Sequence, residues 1–377
     1  MEFAFTEEQQ MIRDTAESFL QDVSNSEAIR TAMATDAGFD AELWQRICQE
    51  LYFQAITIPE ELGGMGLGFV ELVAVMEQMG RFLLCAPYFS TVCQASTAIL
   101  VAGNDEQQAE YLGKVLEGSI GSLAYTSSVK TGVEAVEATF SEQDGEYTLN
   151  GNYKFVVDGH SAEFVIAAAK NAAGEIALFV LPTNTQGVDA SWVPTMDQTR
   201  KQATLSFDNV KLSQAHLMKA NAEKELADIL DFATICLAAE QVGGTSQVLD
   251  ITVEYTKERV QFNRPVASFQ AVKHKAADMM TKAEAARSAV YYAACVAQDA
   301  YTGGELADEL AEAASIVKAN ASESYFANAG DAIQLHGGVG FTWEYDVHLY
   351  FKRAKGSEHM LGNPSYHRER LASMLFA

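Results

Sequence analysis

Apolar side chains recur at helical spacing near both ends of the chain. Residues 6–23 carry them at intervals of three or four, and Thr6 with Gln9 fits the capping box that begins a helix. Similar spacing continues in the segments that follow and returns, in longer segments, after the middle of the chain. The pattern predicts an N-terminal helical domain over residues 1–118 and a C-terminal helical bundle over residues 215–377.

The middle of the chain has a different pattern. Segments such as EYTLNGNYKFVV and ATLSFDNVKL alternate apolar and polar residues, and DGE, NGN and AAGE are read as turns between them. This alternation predicts a β domain over residues 119–214, a sandwich or barrel built from hairpins. The expected fold class is therefore α+β.

Composition and charge narrow the classes of partner. The chain has 377 residues and a formal net charge of −25, which argues against nucleic acid and against anionic membrane surfaces. No apolar segment reaches the about 20 residues that span a bilayer, so no membrane insertion is expected. The N-terminal MEFAFTEEQQ is acidic and polar rather than a signal peptide, and a cytoplasmic location is expected.

Cysteine and histidine spacing argues against a metal site. The five cysteines lack CxxC spacing and lie mostly in apolar surroundings, which predicts buried, reduced thiols. The histidines are dispersed and form no HExxH motif. Metal catalysis is therefore not expected.

The segment KERVQFNRPVASFQAVKHKAADM interrupts a helical pattern around Asn263–Pro265. Arg259, Phe262 and Gln270 could meet a ligand at this break, because a guanidinium suits phosphate and an aromatic ring offers an apolar face. The alternative is an ordinary connection between two helices with a surface ion pair.

The segment IQLHGGVGFTWEYD places Gln334, Gly337 and Gly338 at the end of a long helical pattern. Paired glycines allow positive φ and a close approach of backbone to a ligand. The alternative is a helix C-cap followed by a loop. GxGxxG does not follow any predicted strand, so a nucleotide cofactor would be held without a Rossmann motif.

Together with the earlier PEELGGMGLG and the β domain, these two segments resemble the acyl-CoA dehydrogenase family along nearly the whole chain. The resemblance implies an N-terminal helical domain, a middle β-sandwich and a C-terminal four-helix bundle. It also implies FAD as cofactor, an acyl-CoA substrate from lipid or steroid catabolism, and electron-transfer flavoprotein as acceptor. The assembly would be a homotetramer or an α2β2 heterotetramer.

The resemblance assigns expected FAD contacts in the bundle. The arginine matching Arg259 contacts the FAD pyrophosphate of a neighbouring subunit, and Phe262 and Gln270 match further contacts. Gln334, Gly337 and Gly338 match the segment that holds the adenosine end. Asn263 stands where the family usually has glycine, and asparagine tolerates left-handed backbone.

The flavin face of the β domain departs from the family pattern. Thr126 is kept in YTSSVKTG, where the family has Thr-Glu-Pro followed by Gly-Ser-Asp. Phe155 and Val157 match positions beside the flavin ring. For this pair the alternative is an ordinary strand with one side chain in the core. The altered loop puts flavin binding by this subunit in question.

The expected catalytic base is missing from its usual places. The family's glutamate precedes a glycine in the last active-site loop, where this chain has Leu361, and a second family position falls near Ala233. Glu240 and then Glu358 are the candidate relocated bases. The alternatives are an ion pair with a bundle Arg or Lys for Glu240 and a solvated helix-end acid for Glu358.

Three functional hypotheses follow. The first is a complete FAD-dependent acyl-CoA α,β-dehydrogenase with a relocated base. The second is a non-catalytic partner subunit of an α2β2 enzyme that completes the FAD site through its bundle. The third is a flavin-free binding protein, which the retained bundle residues disfavour.

Overall fold

The protein is described by a computed structural model that covers residues 5–376. Its backbone contacts divide the described chain into two compact units, which are treated separately below. Of the described residues, the first unit comprises 5–30, Phe69–Leu84 and 234–376, and the second comprises Thr31–Gly68 and Cys85–Ala233. Within residues 5–376, no helix is long and apolar enough to cross a membrane. The division into three domains stays a prediction.

The helices agree with the periodicity of the sequence. They are α1 (Glu7–Val23), α2 (Ser26–Ala34), α3 (Ala41–Arg46), α4 (Phe69–Arg81), α5 (Thr97–Ala102), α6 (Asp105–Gln107), α7 (Gly113–Leu116), α8 (Glu223–Glu258), α9 (Gln270–Tyr301), α10 (Leu310–His336), α11 (Val347–His359) and α12 (Pro364–Phe376). Short π-helical and 3-10 segments connect several of them. The predicted capping box of α1 is confirmed, since the Thr6 hydroxyl accepts from the Gln9 amide at 3.2 Å.

In the first unit, α4 and α8 cross in direct backbone contact. A Cβ atom on Gly80 would lie 1.9 Å from the carbonyl oxygen of Glu240, and one on Gly243 would lie 1.8 Å from that of Glu77. Each helix therefore presents the same tetrapeptide pattern, Glu-Gln-X-Gly, to the other in antiparallel order. Only glycine permits this distance. The crossing fixes where the side chains of both glutamates leave their helices.

The second unit contains an eight-stranded sheet. Its strands are β1 (Gly121–Ala124), β2 (Thr139–Gln143), β3 (Glu146–Val157), β4 (Phe164–Lys170), β5 (Ile176–Pro182), β6 (Val188–Val193), β7 (Gln202–Ser213) and β8 (Leu217–Ala220). They follow the order β6-β7-β3-β2-β4-β5-β8, and β1 pairs in parallel with β4. Its strands contribute to an apolar core, where Phe179 of β5 packs against Phe140 of β2 and Tyr147 of β3.

Two of the three predicted turns in this unit are confirmed. Asp144 and Gly145, both with positive φ, join β2 to β3, and Asn171–Glu175 joins β4 to β5. The predicted turn at NGN is wrong, because β3 runs through it with a bulge between Leu149 and Gly151. Gly151 serves close packing, since a Cβ there would lie 2.6 Å from the Cβ of Ala138.

Candidate functional site

A short exposed hairpin follows the end of α8. Strands β9 (Val260–Gln261) and β10 (Arg264–Pro265) are joined by Phe262 and Asn263, whose φ values are 53° and 62°. Two consecutive left-handed residues are the pattern of a type I′ turn, which closes tight hairpins. The expectation that Asn263 tolerates left-handed backbone is confirmed. Phe262 adopts the same conformation at a cost, since it carries a Cβ.

This hairpin displays an aromatic ring to solvent. The side chain of Phe262 is 87% exposed, and every residue from Lys257 to Pro265 is exposed. The hairpin is braced by its own chain, because the Arg264 guanidinium lies 3.9 Å from the centre of the Phe269 ring, which in turn makes an edge contact with Phe262. The hairpin therefore presents a large apolar ring where another molecule could contact it.

The glycines after α10 lie beside open space. Gly337 has a φ of 66°, and a Cβ built on Gly337 or Gly338 would meet no atom within 4 Å. The backbone here is accessible to a ligand, as the sequence predicts. Gln334 is also exposed, two residues before the helix ends at His336.

A stack of half-buried Tyr255 on buried His336 joins these glycines to the exposed segment Lys257–Pro265, which is called the arm below. The rings of Tyr255 and His336 are parallel at 4.2 Å, and the Tyr255 hydroxyl donates to the His336 carbonyl at 3.2 Å. Arg259 follows one helical turn later, with its amide donating to the Tyr255 carbonyl. Burial lowers the pKa of His336, which favours a neutral ring. Sequence reasoning did not identify this pair, although Tyr255 lies four residues before Arg259 on α8.

These exposed groups fit a dinucleotide such as FAD. A guanidinium suits a pyrophosphate, an aromatic ring suits a flat heterocycle, and uncovered glycine backbone allows close approach. The structure keeps Arg259, Phe262, Gln270, Gln334, Gly337 and Gly338 all exposed.

The loop around Thr126 in the second unit is closed upon itself. The Thr126 hydroxyl accepts from the Ser128 amide at 3.2 Å and lies 3.1 Å from the Lys130 carbonyl oxygen. The neighbouring Ser127 hydroxyl donates to the Glu137 carboxylate. The hydroxyls of Thr126 and Ser127 therefore form hydrogen bonds within their own chain.

Phe155 and Val157 differ in what they offer a flavin. Phe155 sits in the bulge between Tyr153 and Val156 with a φ of 58°, and its side chain is 41% exposed. Val157 is buried, and its carbonyl accepts from the Ser122 hydroxyl at 2.6 Å. This face can offer a flat ring but no side-chain donor at Val157, so it fits a flavin only in part.

Leu361 occupies a strained position in the loop after α11. Its φ is 54°, its side chain is 6% exposed, and Gly362 follows with a φ of 100°. The carbonyl of Leu361 lies 2.9 Å from Nε2 of His367, which is buried on α12. The loop is thus ordered by its own contacts, with leucine where the family resemblance expects the base.

Both candidate relocated bases form ion pairs. Oε1 of Glu240 lies 2.9 Å from Nη1 of Arg353, and the two side chains are 3% and 2% exposed. Nη2 of Arg353 also donates to the Leu84 carbonyl at 3.4 Å. Glu358 pairs with Lys355 at 2.8 Å, one turn away on α11. The geometry supports a structural role for Glu240, the alternative that the sequence left open.

His367 should make folding stability sensitive to acid. Burial, followed by the charge of Lys318, lowers the pKa of His367 from 6.5 to about 3. At a pH between these two values, the His367 imidazole is protonated in the unfolded chain and neutral in the folded chain. Stability should therefore fall as pH drops from about 6.5, by about 1.4 kcal/mol for each pH unit well inside this range.

This pH dependence can be measured by urea unfolding at about pH 6.5 and about pH 4.5. The variant His367→Gln, which keeps a donor for the Leu361 carbonyl, should lose this part of the pH dependence. His274→Gln, at an exposed site on α9, is the matched control. An unchanged slope in His367→Gln would contradict the assignment.

Comparisons with known proteins agree with this architecture. The family model described as "Acyl-CoA dehydrogenase, N-terminal domain" matches residues 6–119, and that described as "Acyl-CoA dehydrogenase, C-terminal domain" matches residues 225–376. The chain is 36% identical over 370 residues to the acyl-CoA dehydrogenase IpdE2 of Mycobacterium tuberculosis, covering 97% of each protein.

Two solved structures share the fold along the whole chain. Butyryl-CoA dehydrogenase from Megasphaera elsdenii superposes with a TM-score of 0.89 at 26% identity, covering 100% of both chains. The ChsE4–ChsE5 complex from Mycobacterium tuberculosis gives a TM-score of 0.89 at 26% identity, covering 100% of this chain and 99% of the other. The α+β fold expected from the resemblance is confirmed.

Proposed function

The chain belongs to the acyl-CoA dehydrogenase family, and we propose that it is the subunit of a hetero-oligomeric enzyme that completes a partner's FAD site without supplying a base. The family's reaction is the FAD-dependent α,β-dehydrogenation of an acyl-CoA thioester. The observation that carries the proposal is Leu361, an apolar residue held in the loop where the resemblance expects the base.

The reaction requires a carboxylate near the substrate α-carbon. A bound FAD would supply the hydride acceptor for the β-carbon, and a base must remove the α-proton. Leucine cannot accept that proton. Glu240 is committed to Arg353, and Glu358 to Lys355, so neither acid is proposed as a base. The proton would be removed by a residue of the other polypeptide.

The exposed groups of the first unit support a role in a partner's cofactor site. Arg259 would pair with the pyrophosphate, because a guanidinium donates two parallel hydrogen bonds to such a group. Phe262 and Gln270 would add an apolar face and an amide beside it. Gln334, Gly337 and Gly338 would hold the adenosine end. In the second unit, the self-closed Thr126 loop and the buried Val157 leave the chain's own flavin face less complete.

The comparisons are compatible with assembly from unlike chains. One similar solved structure is described as a complex of two chains, ChsE4 and ChsE5. An α2β2 heterotetramer is the proposed assembly, with a homotetramer as the alternative. Electron-transfer flavoprotein as acceptor and a cytoplasmic location stay predictions from the sequence.

Expression with and without a partner tests the proposed function. The chain should be colourless when purified alone and should purify as a yellow complex when co-expressed with a homologue encoded beside its own gene. FAD is measured by its absorbance per subunit, and turnover by reduction of a ferricenium acceptor with acyl-CoA. A chain that binds FAD alone and oxidises any acyl-CoA would instead be a complete dehydrogenase.

A further inference from the structure

The ammonium of Lys318 lies beneath the loop that carries residue 361. Lys318 is on α10, and its side chain is 0% exposed. Its Nζ donates to the carbonyl oxygens of Ser357 and Glu358, each at 3.1 Å, and to that of Gly362 at 2.9 Å. The Ser322 hydroxyl, 2.9 Å away, is a further contact. One buried cation therefore binds both ends of the loop.

Two of the carbonyls that Lys318 binds lie in the last turn of a helix. Helix α11 ends at His359, so the carbonyls of Ser357 and Glu358 belong to its last turn, where helix carbonyls have no partner inside the helix. A cation at this end also complements the helix dipole. Gly362 lies beyond Leu361, on the far side of the turn. The ammonium thus caps α11 from another helix and ties the cap to the residue after 361.

Further buried groups complete this network. The Ser322 hydroxyl donates to Oε1 of Gln241 at 3.1 Å, and Nε2 of Gln241 donates to the Ser357 hydroxyl at 3.0 Å. His367 binds the Leu361 carbonyl from α12. Buried polar networks of this kind rigidify the groups they join. A left-handed backbone is unfavourable for a residue with a Cβ, so Leu361 needs surrounding contacts to hold it there. The hydrogen bonds to the carbonyls around Leu361 provide such contacts.

We propose that Lys318 is a positioning residue, which fixes the loop over residues 357–362 and thereby sets the conformation of residue 361. The proposal does not depend on whether residue 361 carries a base, so it stands apart from the function proposed above. Space-filling alone does not explain a lysine here. Burial lowers the pKa of Lys318 to about 7, and the charge of Glu358 opposes this effect, so burying the charged form is unfavourable. Methionine would fill a similar volume without that cost.

Hydrogen exchange of the full-length protein tests the proposal, read by mass spectrometry on peptides that cover residues 355–366. In Lys318→Met, loop amides should exchange at least about tenfold faster, while amides in the middle of α8 keep their protection. Lys318→Gln retains two N–H donors and should give an intermediate rate. Ser322→Ala removes a partner of the same ammonium that reaches the loop only through Gln241, so it should accelerate loop exchange less than Lys318→Gln does.

The order of the loop exchange rates among the three variants decides the test. Wild-type loop exchange in a folded Lys318→Met protein would overturn the proposal, as would equal acceleration in Ser322→Ala. If Lys318→Met does not fold, Lys318→Gln decides: unchanged loop exchange overturns the proposal, and a selective increase in the loop supports it. A uniform rise along the whole chain would show that Lys318 only contributes to global stability, which also overturns it.

Discussion

Replacing Arg259 with alanine should lower the affinity of the assembled oligomer for FAD by about ten- to a hundredfold. The residue is exposed on an arm that its own chain does not cover, and it is proposed to bind the pyrophosphate of a partner's cofactor. Hydrogen bonds to charged groups contribute about 1.5–3 kcal/mol, and each 1.4 kcal/mol corresponds to about a factor of ten in affinity. Removing the flavin from the complex and titrating FAD back gives the dissociation constant.

Arg264 offers a matched control on the same hairpin. Its guanidinium lies over the ring of Phe269 in its own chain. Arg264→Ala therefore removes an arginine of the arm that already contacts a residue of its own chain. The affinity for FAD should then change by less than about threefold. Equal losses in the two variants would mean that the arm responds to net charge rather than to a specific contact, and wild-type affinity in Arg259→Ala would remove Arg259 from the site.

The sequence predicts this arm better than it predicts the groups behind it. The break in helical periodicity and the left-handed backbone at Asn263 are set by residues close together in the sequence. A local pattern can therefore predict both. The Tyr255–His336 stack joins residues on α8 and α10 that only the fold brings together. Nothing in the spacing of Tyr255 or His336 distinguishes them from other residues of amphipathic helices.

The same limit explains the buried cation and the misread turn. Lys318 lies in a helical run where a lysine ordinarily points to solvent, and its partners come from a loop some forty residues later. At NGN, glycine between two asparagines is a strong local turn signal. The long pairing of β3 with β7 overrides it, and the glycine forms a bulge packed on Ala138.

For Glu240, the local sequence predicts that a buried acid has a partner or a function, but it does not identify the partner. An isolated acid in an apolar helical run must have a partner or a function, and both alternatives follow from the sequence. The partner, Arg353, lies 113 residues away. The repeated Glu-Gln-X-Gly pattern in α4 and α8 is a further signal, because Glu77 is also buried and pairs with Arg287 at 2.9 Å. Two helices that cross at glycines present their glutamates to two arginines.

Removing Arg353 should therefore destabilise the fold far more than removing the whole ion pair. Arg353→Met leaves the Glu240 carboxylate buried without its guanidinium, and breaking a buried pair in this way costs about 3–5 kcal/mol. The double variant Glu240→Met/Arg353→Met replaces both charges with apolar chains of similar length. Its unfolding free energy should lie within about 1–2 kcal/mol of the wild type, since such replacements are often neutral or stabilising.

Denaturant unfolding of the single and double variants gives the coupling energy between the two residues. If Glu240 is structural, Glu240→Gln should lower stability while the assembled enzyme keeps its turnover of acyl-CoA. A catalytic base would give the opposite result, with turnover reduced by about 10²–10⁴-fold and FAD still bound. Because the chain's other acid near the loop, Glu358, is paired with Lys355, retained turnover in Glu240→Gln would direct the search for the base to the other polypeptide.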